Sequence, residues 1–226
     1  MRLNIIKALE DGYDTLCKKS AILYLAGVIA FMNISSVYFI NNFFPMKDIT
    51  EGNMLSYFIP FVTIFLIICL IEMFLTGMII KIASEPGKKV SLDKTADFIA
   101  KKYLKLVIGS ILYYILIISG FILFLIPGIF LMIKLMFYQY AIIIHNKRVL
   151  NSFETSWNIT KRNWWQIFAF TLIVLLVSLV FYFISVLASV ISSEIEYILM
   201  FFITLFIVSW SASSFTMAYK QLTSKK

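Results

Sequence analysis

Acidic residues are scarce in this chain, and long stretches carry no charge of either sign. Only 12 of its 226 residues are Asp or Glu, and residues 20–46, 52–71, 106–133, 163–193 and 197–219 hold no Asp, Glu, Lys or Arg. A soluble surface needs about a quarter of its residues charged. Here 14% are charged against 61% hydrophobic, which excludes a soluble domain. The longest polar gap, Lys81–Lys105, is far too short for a catalytic barrel or a nucleotide-binding fold. Cysteine is sparse: Cys17 precedes the first apolar run and Cys69 lies within the second, which fits neither a disulfide framework nor a metal site. His145 is the single histidine and has no acid or thiol near it in sequence. Glycine-rich phosphate loops and nucleophile motifs are absent as well. No cofactor is expected, and no enzymatic activity.

What is present is a set of membrane-length apolar runs. A spanning helix needs about 20 mostly apolar residues, so spans are expected at about 21–44, 54–80, 106–126, 129–144, 164–192 and 197–218. The pair Pro127-Gly128 is expected to fold 106–144 back on itself, its second arm at the short limit for spanning. The start of the chain does not read as a cleavable signal, because Glu10, Asp11 and Asp14 precede the first apolar run. The reading is an all-α, polytopic membrane protein: one integral domain over 1–226, with six transmembrane helices and three amphipathic interfacial helices on the cytoplasmic side.

Orientation follows from the cations. Eighteen of the 20 basic residues fall in the N-terminal segment, the second and fourth gaps and the tail. The opposite side has Lys47 alone, beside Asp48, Glu51, Glu194 and Glu196. The positive-inside rule then puts both termini in the cytoplasm and the protein in the cell membrane. The net charge of +8 therefore serves orientation and anionic lipid rather than nucleic acid.

Three of the basic segments share a register. Leu9, Leu92 and Phe153 each precede an acid (Glu10, Asp93, Glu154); Asp14, Asp97 and Asn158 follow four residues later, then Lys18, Lys101 and Arg162 after four more. Such i, i+4 spacing stacks opposite charges on one helix face. The register reads as repeat units 8–80, 91–144 and 152–218, although any helix entering a bilayer obliquely needs a similar pattern. Lys18, Lys101 and Arg162 are the candidate contacts to anionic lipid.

Glu72 and Lys134 are the ionisable groups inside expected spans, where charge is costly enough to mark a candidate functional site. At 1.5 Å per residue both lie about 15 Å from the basic ends of their spans. They are expected as a pair, either lining a solute path or forming a structural salt bridge; snorkelling by Lys134 is the alternative.

The stretch Phe124–Phe168 holds Ile126-Pro127-Gly128, a following span, then Ser152, Ser156, Lys161 and Trp164-Trp165; Tyr219-Lys220-Gln221-Leu222 closes the chain's apolar part. In this half the chain resembles uncharacterised multi-span proteins related to the membrane domain of glycerophosphoryl diester phosphodiesterases. That resemblance implies six spans and an envelope role. The catalytic domain of those enzymes has no counterpart here, so their activity is not carried over. The expected function is a non-enzymatic membrane protein that binds lipid, a membrane-protein partner or a second copy at the inner surface. The alternative is a transporter or permease component with a path near Glu72 and Lys134.

A reporter fused after Lys226 is expected to show activity that requires the cytoplasm. Signal from the far side of the membrane removes this orientation.

Overall fold

The computed structural model of the protein describes residues 3–43, 54–85, 87 and 91–224. Within them the chain is helical: α1 Ile5–Lys18, α2 Ser20–Phe43, α3 Met54–Ser84, α4 Leu92–Leu123, α5 Leu125–Leu135, α6 Tyr138–His145, α7 Val149–Lys161, α8 Trp164–Ser189 and α9 Ser193–Thr223. Six stretches are long and apolar enough to cross a membrane: Ser20–Ile40, Phe58–Ser84, Leu92–Leu123, Leu125–His145, Trp164–Ser189 and Ser193–Thr223. A helix bonds its own backbone, which is what hydrocarbon demands of any spanning segment. Lys47, Asp48 and Glu51, set opposite the cations by the charge count, lie outside the described residues.

Three helices are much longer than a bilayer requires. At 1.5 Å per residue α3, α4 and α9 each measure about 46–48 Å, against a hydrocarbon thickness of about 30 Å. The buried residues fall toward one end of α3 (Met78–Ala83) and of α9 (Ser209–Tyr219); in α4 most lie between Thr95 and Gly109, with Ile117 and Gly120 buried further along where α5 packs back. In α2 they are Ile22, Leu25, Ala26, Ile29 and Ala30, again near the end that follows lysine. The core therefore sits at the basic end. The opposite halves leave broad apolar faces exposed, as at Phe58, Ile59, Phe65 and Leu66 of α3.

α9 is the axis of that core and packs against α1, α2, α3 and α8. α1 does more than rest on a surface: Ala8, Gly12, Thr15 and Leu16 are buried. At its start the Leu3 N–H donates to Gln166 Oε1 (3.1 Å) and the Asn4 N–H to Gln221 Oε1 (3.2 Å). The crossing with α9 needs a glycine, since a Cβ on Gly12 would lie 2.6 Å from Ser214 Cα.

Three features depart from the sequence expectation. The second amphipathic segment is no separate interfacial helix but the opening turns of α4, because 92–108 contains no Gly or Pro to stop it. The turn after α4 lies at Phe124, which is fully extended (φ −166°, ψ 159°), and not at Pro127-Gly128. Pro127 instead occupies the first turn of α5, where an N–H has no helical acceptor and its loss costs nothing. Gly128 then lets α5 close onto α4: a Cβ there would meet the Phe121 ring at 2.5 Å.

The third departure is a break within the expected span 129–144, where α5 ends at Leu135 and α6 starts at Tyr138. α7 repairs it. The Ser156 hydroxyl accepts from the Phe137 N–H (3.1 Å) and donates to the Lys134 carbonyl (2.8 Å), which Thr160 also reaches (3.2 Å). Both serve backbone groups that the break would otherwise leave bare.

Gly12→Ala should lower stability by about 1–3 kcal/mol, the usual cost of forcing a methyl into a packed contact. Gly27 in α2 meets only Leu205 Cδ1, 3.7 Å from a would-be Cβ. Gly27→Ala should be neutral or stabilising by up to ~1 kcal/mol through helix propensity. Thermal unfolding of both variants in one detergent checks the pair; equal effects would contradict this packing.

Candidate functional site

Most lysines that face the core end on an acceptor. Lys19, in the one-residue joint between α1 and α2, donates to the carbonyls of Ile82 (2.5 Å) and Glu85 (2.7 Å) at the end of α3. Lys220 of α9 reaches the Ser84 carbonyl at the same end (3.1 Å). Burial presses the Lys19 ammonium below its ordinary value and Lys220 adds to the shift, while the Glu85 carboxylate opposes both. Lys102, only 8% exposed, donates to the carbonyls of Ile142 (3.3 Å) and Ile143 (3.1 Å) at the end of α6 and lies 3.9 Å from the Phe98 ring centroid. Unsatisfied carbonyls give a helix C-terminus partial negative charge, so these contacts are charge-assisted caps.

Lys134 is different. It is 4% exposed, yet its ammonium makes no hydrogen bond or ion pair among the described residues. Two rings flank it instead, Trp157 at 5.1 Å and Phe130 at 5.4 Å to the centroids. The side chain opens into a pocket of about 590 Å³ where α5, the end of α7 and the start of α8 meet. Lys161, Arg162, Asn163, Trp164, Trp165 and Gln166 line the remainder, and no carboxylate is among the lining residues. Lys161 and Arg162 are exposed and Asn163 is buried. Asn163 Oδ1 and Trp164 Nε1 are buried polar atoms without a partner. The wall is held by stacking of Trp164 on Phe130 (6.0 Å) and on Phe168 (5.3 Å).

The expected Glu72–Lys134 pair does not form. Glu72 Oε1 accepts from Asn33 Nδ2 (2.6 Å), across the contact between α3 and α2. It heads a narrow groove of about 90 Å³ lined by Ser36, Cys69 and the apolar side chains of Ile64 and Ile68. α3 follows α2, whereas Lys134 on α5 is covered by α7, so the two charges belong to different faces of the bundle. Equal depth carries no information about azimuth around a helix.

Of the expected lipid contacts, Lys18 is exposed and pairs with Asp14 (3.3 Å), the i, i+4 partner foreseen in its segment. Lys101 is exposed and carries no ion pair among the described residues. Arg162 lies on the rim of the Lys134 pocket. Sequence reading named Arg162 as a candidate lipid contact and Lys161 and Trp164-Trp165 only as parts of a family-like stretch, with nothing to bring them to Lys134. Their joint wall around Lys134 required knowing that α7 folds back over the α5–α6 break. His145 Nδ1 shares a hydrogen bond of 2.7 Å with the fully buried Tyr219 hydroxyl, a structural tie between α6 and α9. Among the described residues no cluster of three or more His, Cys, Asp or Glu stands together to hold a metal.

The family described as a domain of unknown function, DUF7847, matches residues 109–223, just over half of the chain and all of the Lys134 pocket. The chain belongs to that family. Nothing in the match links it to the membrane domain of glycerophosphoryl diester phosphodiesterases. Neither a curated protein nor a solved structure matches the chain.

Because Glu72 and Lys134 sit in separate surroundings, Glu72→Gln and Lys134→Met should change thermal stability additively, within about 0.5 kcal/mol. A double variant much more stable than the sum would restore the ion pair.

Proposed function

We propose that this DUF7847 protein is a non-enzymatic protein of the cell membrane, with both termini in the cytoplasm, that binds anionic lipid through its basic end. The observation that carries the reading is Lys134, a residue only 4% exposed whose ammonium has no acceptor among the described residues and opens into a pocket that Lys161 and Arg162 also line. The two ring faces stabilise the cation without neutralising it. An anion in the pocket supplies the missing partner. Trp164 and Trp165 beside it are the residues that favour the level of the lipid headgroups. Exposed Lys18 and Lys101 extend the same attraction along the surface. The likeness of 124–168 to phosphodiesterase membrane domains supports an envelope role and adds no activity. The permease reading is weaker, because its two charges do not meet.

Each cation near an anionic surface contributes about 1 kcal/mol, so replacing Lys18, Lys101 and Arg162 together with Gln should weaken retention of anionic lipid by up to ~3 kcal/mol. High salt should reduce the effect of the two outer positions, whose charges are screened. Retention is read by lipid analysis of the purified protein against phosphatidylcholine. Wild-type protein with no preference over phosphatidylcholine removes the proposal, as does an unchanged triple variant.

A further inference from the structure

We infer that the Lys134 pocket is selective for a phosphate monoester headgroup over a phosphodiester one. This rests on the anionic-lipid reading and names the chemical class that the pocket takes. The pocket gathers three cations, Lys134, Lys161 and Arg162, with no carboxylate among its lining residues to balance them. A phosphodiester brings one negative charge, so two cations remain uncompensated. A phosphate monoester brings about −1.5 to −2 at neutral pH, together with three strong acceptor oxygens.

Geometry separates the three cations by role. Lys161 and Arg162 are exposed on the rim, where any anionic surface can satisfy them. Lys134 is 96% buried and holds its ammonium between Trp157 and Phe130, so only a group entering the pocket can reach it. Entry favours a compact terminal phosphate with its oxygens foremost. A diester presents its phosphate with a second substituent attached, which must be placed in the same space.

The terminal phosphate of a lipid and a free phosphate share this chemistry. The full-length protein in detergent is titrated with short-chain phosphatidic acid, phosphatidylglycerol and phosphatidylcholine, and bound lipid is counted by native mass spectrometry. Phosphatidic acid should bind about tenfold or more tighter than phosphatidylglycerol, the scale of one charge-assisted hydrogen bond. Lys134→Met should abolish that difference while leaving both anionic lipids above phosphatidylcholine through Lys161 and Arg162. Lys161→Gln with Arg162→Gln, on the exposed rim, should weaken both lipids and narrow their ratio while keeping phosphatidic acid ahead.

Equal affinity for phosphatidic acid and phosphatidylglycerol in the wild type overturns the inference and leaves the anionic-lipid reading standing. So does a folded Lys134→Met variant that keeps the full difference. If Lys134→Met does not fold, the ratio in the rim variant decides: loss of phosphatidic acid's lead there overturns the assignment to Lys134. Equal binding of all three lipids overturns the anionic-lipid reading itself. Inorganic phosphate and glycerol phosphate identify the source. Displacement of phosphatidic acid at equal concentration supports a soluble monoester as the ligand, and resistance supports the lipid.

Discussion

Helix carboxyl ends held by lysine ammonium groups are the interaction on which this fold depends. A helix ends with carbonyls that no N–H in the same helix can reach. At the end of α3 those carbonyls receive Lys19 and Lys220, and at the end of α6 they receive Lys102. The three contacts tie the α1–α2 joint to α3, α9 to α3 and α4 to α6. Each joins elements distant in sequence, and each lies in the half of the molecule where the side chains are buried. In hydrocarbon lipid is as apolar as leucine, so burial alone does not drive the helices together. Polar ties at the basic end supply part of what the hydrophobic effect cannot, and the opposite halves are free to present apolar faces to lipid.

The break between α5 and α6 belongs to the same logic. A continuous helix from 125 to 145 would need no help, whereas a broken one exposes backbone groups that must be served from elsewhere. Ser156 serves both sides of the break with one hydroxyl, and this fixes α7 over it. Placing α7 there brings Trp157 against Lys134 and carries Lys161 and Arg162 to the pocket rim. The pocket is therefore a consequence of how a broken span is repaired. The short register of Ser152, Ser156 and Thr160 along α7 follows from the same need, since all three are buried and the last two reach the Lys134 carbonyl.

Much of the architecture was legible because it rests on local rules. Charge-free length located all six membrane-length stretches, and the amphipathic pattern located α1 and α7. The turn was misplaced by three residues because Pro127 reads as a breaker in sequence, while in a first helical turn it is well tolerated. The Met136–Phe137 break had no local signal at all: neither residue is Gly or Pro, and the hydroxyl that serves its bare backbone groups lies on another helix. The site was the least legible part. Lys102, Lys134 and Lys161 are the same residue type beside similar apolar neighbours, yet one caps a helix, one faces rings and one faces solvent. What separates them is the presence of an acceptor in three dimensions.

That distinction also decides between the two intramembrane charges. Glu72 has a partner, since the Asn33 amide donates to it and closes the contact of α2 with α3. A carboxyl can in addition take up a proton and so remain neutral when desolvated. The Lys134 ammonium has no such neighbour. Phe130 and Trp157 offer it only the faces of two rings at more than 5 Å, contacts that stabilise a cation without neutralising it. Lys161 on the rim repels it. A pocket that gathers like charge around a cation with no partner in its own chain is an attractive place for a group of the opposite sign. None of the pocket's lining residues carries the opposite sign, which sets this pocket apart from the Glu72 groove as the place suited to an anion from outside the chain.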